Sequence, residues 1–180
     1  MNKLMLLVLT LALFNCKSQE ARKPITTKTG SFIDESIARN KALNAREYAS
    51  IEKIMKQNDN HYLTSEHGFW YYYNTKTEAD SLATPAFGDI INYDYNVKSL
   101  NGQLIYSKND LKNQDYVVDK EELFSGLREG LKLMKPGETV TFIFPSQKAY
   151  GYYGDEYKIG RNEPLICEVT LNSISQNQTN

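Results

Sequence analysis

Residues 126–138 read GLREGLKLMKPGE, and residues 139–144 continue TVTFIF. The first stretch spaces Leu127, Leu131 and Met134 three and four residues apart, the repeat of one buried helical face. Extended backwards, the stripe takes in Leu123 and Phe124. Asp119-Lys120-Glu121-Glu122 then supplies a capping residue and acids ahead of it, which suits a helix start. Gly126 and Gly130 fall inside this short helix. Each costs ~1 kcal/mol relative to Ala, which makes sense if the helix lies against a sheet with little room between backbones. Lys135-Pro136-Gly137 stops it. In the second stretch Val140, Phe142 and Phe144 share one face of a strand. A glycine-bearing helix among strands points to an α+β arrangement, a curved antiparallel β-sheet closed over one short amphipathic helix.

The flanking segments supply the other strands. Leu165–Leu171 alternates, with Leu165, Cys167, Val169 and Leu171 inward and Glu168 and Thr170 outward. Gly88-Asp89 opens Ile90–Val97, where Ile91, Tyr93 and Tyr95 alternate with Ile90, Asn92 and Asp94, a half-buried strand. Asn101-Gly102 is the strongest short hairpin signal in the chain, and Leu104–Ser107 returns from it. Gly68–Tyr73, GFWYYY, is a strand by composition. Both of its faces are aromatic, so it is expected to be covered on both sides. Asn74–Pro85 is a polar connection.

Before that strand, Asp34–Gln57 holds neither Gly nor Pro, and good helix formers dominate it. Ser31-Phe32-Ile33-Asp34 can cap its start, and Asn58-Asp59-Asn60 ends it. Ile37, Tyr48, Ile51, Ile54 and Met55 mark one apolar face, clearer in the second half. Two readings stay open: a helix packed on its own domain, or an arm for dimerisation or for cradling clients.

The chain has 180 residues, with 21 Lys+Arg against 22 Asp+Glu. That balance excludes a protein built to coat nucleic acid and a purely electrostatic hold on an anionic membrane. Met1–Asn15, MNKLMLLVLTLALFN, has one early lysine and then an apolar run too short to span a bilayer, which needs ~20 residues. It is the size of the apolar region of a secretory signal. The run ends at Cys16, and this junction resembles a bacterial lipoprotein signal, although Asn15 replaces the usual small residue. The resemblance implies cleavage before Cys16 and acylation of it. Each buried methylene contributes ~0.8 kcal/mol to such an anchor.

The second cysteine, Cys167, then has no partner in the chain and reads as a buried, inert thiol. His61 and His67 have no cysteine cluster nearby, read as surface or turn residues, and give no metal site. The domain reading is a signal at 1–15, a polar tether at 16–30, the helix within 31–60, one domain at 61–175 and a disordered tail at 176–180. There is no GxGxxG, Walker lysine, HExxH or GxSxG motif, and nothing builds a nucleophile–base pair.

Three segments carry a family resemblance. GLREGLKLMKPGE, then Phe144-Pro145-Ser146-Gln147-Lys148-Ala149-Tyr150-Gly151, then NEPLICEVTL at 162–171 resemble the FKBP-type peptidyl-prolyl isomerases. Gly88-Asp89 through Tyr95, with Gly102 and Ser107, fits the same family's hairpin at matching spacing. The resemblance spans about Gly88 to Ile174. With the lipoprotein signal and the N-terminal helix, the chain looks most like the gliding-motility-associated isomerase lipoproteins of Gram-negative bacteria.

The resemblance implies rotation of X–Pro bonds, with no cofactor and no metal. It implies proline-containing segments of exported client proteins as partners. The implied location is the cell envelope, lipid-anchored through Cys16 to the inner or outer membrane and facing the periplasm. It also implies the site. Tyr95 matches a tyrosine on the strand wall, and Leu123 and Phe124 a pair at the start of the helix. The Phe124 N–H is implied to bond a substrate carbonyl. Tyr150 matches a tyrosine whose hydroxyl donates to ligand, Ile159 an apolar residue of the overhanging loop, and Tyr116 a pocket-side aromatic. Phe142 joins the substrate-binding set.

Other positions depart from the family. Leu127 stands where the family has a floor Trp, Cys167 and Ile105 where it has Phe, Gln114 where it has an edge aromatic, and Tyr106 where it has an Asp. Tyr106 is a candidate substitute hydroxyl donor. The departures leave a rival reading open, a catalytically weak or inactive chaperone or assembly subunit. The loop Tyr150–Asn162 also carries Tyr152, Tyr153 and Tyr157, of which Tyr153 is expected to pack beneath the loop.

Overall fold

Strict alternation along residues 90–99 makes that segment the axis of the sheet. The computed structural model describes residues 29–78 and 82–176. The expected signal, the expected acylation site Cys16, the expected tether up to residue 28 and residues 177–180 of the expected tail lie outside them. The elements are α1 (Thr29–Gln57), β1 (Leu63–Thr64), β2 (Trp70–Thr75), β3 (Ile90–Ser99), β4 (Leu104–Tyr106), α2 (Lys108–Leu111), β5 (Gln114–Val117), α3 (Ser125–Leu131), β6 (Thr139–Phe144), a 3-10 turn (Ser146–Lys148) and β7 (Leu165–Ser175). All strand pairs are antiparallel, in the order β1-β2-β6-β7-β3-β4, with β5 also on β3. This is the α+β class read from the sequence.

The inward parity holds throughout. Ile91, Tyr93, Tyr95 and Val97 of β3 face the core, as do Leu165, Cys167, Val169 and Leu171 of β7, while Ile90 is exposed. Cys167 pairs with Val97 on one side and Phe142 on the other. Its thiol is completely buried, and burial pushes its pKa well up. Because the thiolate is the reactive form, native protein at pH ~8 is expected to leave Cys167 unmodified by a thiol reagent and to expose it only on unfolding. Rapid stoichiometric labelling of folded protein would contradict this placement.

Helix α3 lies on the sheet through its two glycines. A methyl on Gly126 would sit 2.5 Å from Phe144 Cδ1 and 2.7 Å from the Lys148 carbonyl oxygen, and one on Gly130 would sit 2.9 Å from Phe142 Cε1. The stacked rings of Phe142 and Phe144, 5.5 Å apart, therefore press directly on the helix backbone.

The start of α3 corrects the capping reading. The helix begins at Ser125, with extended Phe124 as its N-cap, and not after Asp119. Asp119 has φ +59, a left-handed backbone that cannot open a helix. The Tyr116 hydroxyl accepts its N–H at 3.1 Å, and Arg128 and Lys132 pair with its carboxylate. Leu123 and Phe124 thus leave the helical stripe and stand free of it.

Three further elements, β1, α2 and β5, lie where the sequence pattern gives no assignment. A reciprocal cap between Ser107 and Asp110 starts α2. The GFWYYY strand is shifted two residues onward, and both faces are covered as expected. Phe69 and Tyr71 meet the core, Trp70 meets Tyr48 edge-on at 5.2 Å, and Tyr72 meets Tyr62 at 5.1 Å.

The chain divides into two units, residues 1–38 and 39–180. Helix α1 starts at Thr29, ahead of the Ser31 cap, so residues 29–30 of the expected tether are helical. Within the second unit Ile51 is fully buried, and the Glu47 carboxylate accepts from the Ser146 N–H at 2.8 Å and hydroxyl at 2.6 Å. The packed reading of the helix therefore describes this half. Within the first unit Phe32, Ile33 and Ile37 are exposed.

Candidate functional site

The released residues Leu123 and Phe124 form one wall of a cavity of about 510 Å³, Tyr150 forms another, and Glu121, Glu122 and Arg128 complete the lining. The Phe124 ring packs edge-on against Phe144 at 5.4 Å and tilted against Tyr150 at 5.2 Å. No described residue accepts the Phe124 N–H, so this donor is available to a ligand carbonyl.

Tyr150 follows the 3-10 turn that β6 delivers. Burial pushes its phenol up to about 12, and Cys167, Asp155 and Tyr106 act in the same direction. A neutral phenol is a hydrogen-bond donor, and Tyr150 stays one across the physiological range. Its hydroxyl bonds no described residue and is not sealed from solvent.

Other phenols gather around it. Tyr93 and Tyr95 lie 5.5 Å apart on β3. Burial raises both pKa values, and both respond to Tyr150 and Cys167. Tyr106 also responds to its neighbours, but its hydroxyl is engaged: it donates to Asp155 of the loop after Tyr150. Asp155 accepts the N–H of Tyr157 at 2.9 Å and of Ile159 at 2.8 Å as well. Burial works against the Asp155 charge, but these hydrogen bonds outweigh it and hold the carboxyl below its usual range. Lys158 lies over the Tyr106 ring at 4.8 Å and donates to the Ile105 carbonyl at 3.4 Å. The loop is thus fastened to the hairpin return through the position where the family carries an acid.

The remaining expected site residues take supporting places. Leu127, Phe142 and Cys167 are 0% exposed, so they back the site from within the core. Tyr116 and Ile159 are buried, and the Tyr116 hydroxyl oxygen accepts the Asp119 N–H. Ile105 is half-buried, and Gln114 donates to the Leu111 carbonyl at 2.5 Å. The expectation for Tyr153 is overturned, because it is 79% exposed. The next residue, Gly154, turns tightly, with φ +71 and 2.2 Å from a Cβ position to the Ile159 carbonyl oxygen. Sequence reasoning missed Asp155, Tyr93 and the charged lining. The Asp155 role had a faint signal, an acid between Gly154 and an apolar Ile159, but the partner 49 residues away had none. Among the described residues, no three His, Cys, Asp or Glu side chains come together as a metal site.

The Tyr106–Asp155 bond gives a test of loop fastening. Tyr106→Phe leaves Asp155 with its backbone donors only and loses a charge-assisted bond, for about 1–2 kcal/mol. The amides of Tyr157 and Ile159 are expected to exchange several-fold faster in hydrogen-exchange measurements. The pH dependence has a definite sign: a lowered carboxyl pKa stabilises the loop above the ordinary value of ~3.9, and that stability disappears as pH falls through the lowered one. Equal exchange in wild type and variant at neutral pH would remove the fastening role.

The family described as FKBP-type peptidyl-prolyl cis-trans isomerase matches residues 82–172. Among curated relatives, the peptidyl-prolyl cis-trans isomerase Mip of Coxiella burnetii is 30% identical over 99 residues, 55% of this chain and 43% of Mip. A probable FKBP-type isomerase, FkpA of Neisseria meningitidis serogroup B, is 29% identical over 90 residues, 50% of this chain and 33% of that protein. The chain spans less than half the length of these two relatives in the match. Among solved structures, FkpA from Escherichia coli superposes with TM-score 0.59 at 22% identity, over 97% of this chain and 83% of that one. The isomerase of Pseudomonas syringae pv. tomato gives 0.61 at 21%, over 76% and 96%. At these identities the structural likeness is one of fold.

Proposed function

Because the chain belongs to the FKBP-type peptidyl-prolyl cis-trans isomerase family, we propose that it accelerates cis/trans rotation of X–Pro bonds at the Phe124–Tyr150 cavity. The observation that carries this is the pairing of a free Phe124 N–H with a reachable, neutral Tyr150 hydroxyl across an aromatic wall. Rotation about the peptide bond has a barrier of ~18–20 kcal/mol, because twisting breaks amide resonance. The planar amide is the more dipolar state, so an apolar, partly dehydrated wall disfavours it relative to the twisted one. Donors set for the twisted carbonyl add to the difference. No covalent step and no cofactor enter this scheme.

The leader and Cys16 support a lipid-anchored protein of the Gram-negative cell envelope acting on exported clients, of which components of a gliding machinery are one class. The exposed Ile37, with Phe32 and Ile33 exposed just ahead of it, supports pairing of two chains through the helix 34–57.

A second reading has its own observation. Tyr106 stands where the family carries an acid and gives its hydroxyl to Asp155, and the floor position is the buried aliphatic Leu127. Both favour a groove that holds proline segments with little turnover. Refolding of a proline-limited substrate protein separates the two. Isomerase action speeds the slow phase at catalytic amounts of this protein. A spontaneous rate for that phase, with aggregation suppressed at stoichiometric amounts, would establish the chaperone reading instead.

A further inference from the structure

A second cleft lies beside the loop, walled by Arg39, Ala42, Leu43 and Arg46 of α1 and by Tyr152 and Asn162 across from them, with a volume of about 400 Å³. Arg161 places its guanidinium 5.1 Å from the centre of the Tyr152 ring. Two arginines and an exposed ring thus line the cleft with Ala42 and Leu43, Arg161 stands at the Tyr152 ring, and the lining holds no carboxylate. No described acid pairs with Arg39, Arg46 or Arg161. Glu47, next to Arg46 in the chain, is buried and committed to Ser146. In a chain of net charge -1, the lining of this cleft carries arginine alone among charged residues.

We propose that this cleft binds an acidic segment of client polypeptide, with carboxylates on the arginines and an apolar or aromatic side chain against Leu43 and Tyr152. Guanidinium suits this partner because its planar donors match a carboxylate two at a time. Tyr152 is two residues from Tyr150, at most ~7 Å along the chain. A client segment that spans this cleft and the Phe124–Tyr150 cavity would then be selected for Asp or Glu near its proline. The consequence for turnover rests on the isomerase reading, whereas the binding itself does not.

The test uses two fluorescent peptides of equal length without proline, one rich in Asp, Glu and Phe and one with Asn and Gln in place of the acids. The acidic peptide is expected to bind the full protein and the neutral one not. Binding is expected to fade by about 1 M salt, where the screening length falls to ~3 Å. Arg39→Ala with Arg46→Ala, both exposed helix positions where Ala is favourable, is expected to weaken it roughly five- to tenfold. In the same variant, isomerisation of a neutral prolyl peptide stays unchanged, and KM rises only for an acid-flanked one. A failed isomerase reading shows as no turnover of either prolyl peptide while acidic-peptide binding persists. Equal binding of both proline-free peptides, or unchanged affinity in the double variant, overturns the proposal. So does arginine-dependent binding to vesicles of anionic lipid without binding of the acidic peptide.

Discussion

Phe124→Ala is expected to lower kcat/KM for prolyl isomerisation roughly 50–100-fold while the circular dichroism of the protein stays native. The ring is half-buried and outside the helix, touching Phe144 and Tyr150 at its edges. Truncating it removes the wall against which the prolyl ring would pack. Withdrawing about 100 Å² of apolar contact at ~25 cal/mol/Å² forfeits about 2.5 kcal/mol, and each 1.36 kcal/mol is tenfold in rate. The Phe124 N–H survives the change, so the residual activity measures what the backbone donor and Tyr150 do without the wall. A variant that keeps more than half of the wild-type kcat/KM would place the chemistry elsewhere on the surface.

Gly126→Ala is expected to destabilise the domain even though it places alanine in a helix. In an ordinary helix interior the substitution would gain ~1 kcal/mol of helix preference. Here the methyl meets Phe144 at 2.5 Å and a backbone carbonyl oxygen of Lys148 at 2.7 Å. Overpacking of that kind costs ~1–3 kcal/mol, and the Lys148 carbonyl belongs to the turn held by Ser146 and Glu47, which has little freedom to give way. With the cost near the top of that range the net loss is about 1–2 kcal/mol, which lowers the midpoint of thermal unfolding by roughly 2–8 °C in a protein of this size. Gly130→Ala, which meets only the Phe142 ring edge at 2.9 Å, is expected to shift it less. A stabilised Gly126→Ala protein would show that the helix does not lie against the sheet in this way.

Periodicity made part of this legible before any coordinates. The two-residue alternation of Ile91, Tyr93 and Tyr95 and of Leu165, Cys167 and Val169 specifies which side chains enter the core, because a strand allows only two faces. Gly126 and Gly130 revealed the close approach of helix and sheet through their cost alone. Phe124 and Tyr150 were legible as a site only through the family's motifs. As a residue, Phe124 reads equally well as core, whereas Tyr150, in Ala-Tyr-Gly between a strand and a loop, reads less so. The capping signal at Asp119 misled because a capping residue can also occupy a left-handed turn, and only the distant partners Arg128 and Lys132 decide between them. The Tyr106–Asp155 bond was illegible for the same reason: it joins a hairpin to a loop, and no local pattern announces a pair so far apart.

The most direct measurement is the isomerisation rate of a short prolyl peptide with wild-type protein and with Tyr150→Phe. The wild type is expected to exceed the spontaneous rate, which corresponds to tens to hundreds of seconds at 25 °C. Loss of one hydroxyl donor, worth about 1 kcal/mol, is expected to cut kcat/KM roughly fivefold with a flat profile from pH 6 to 9, since the phenol stays neutral up to about 12. A wild-type rate equal to the spontaneous one, or a Tyr150→Phe protein as fast as the wild type, would contradict the account.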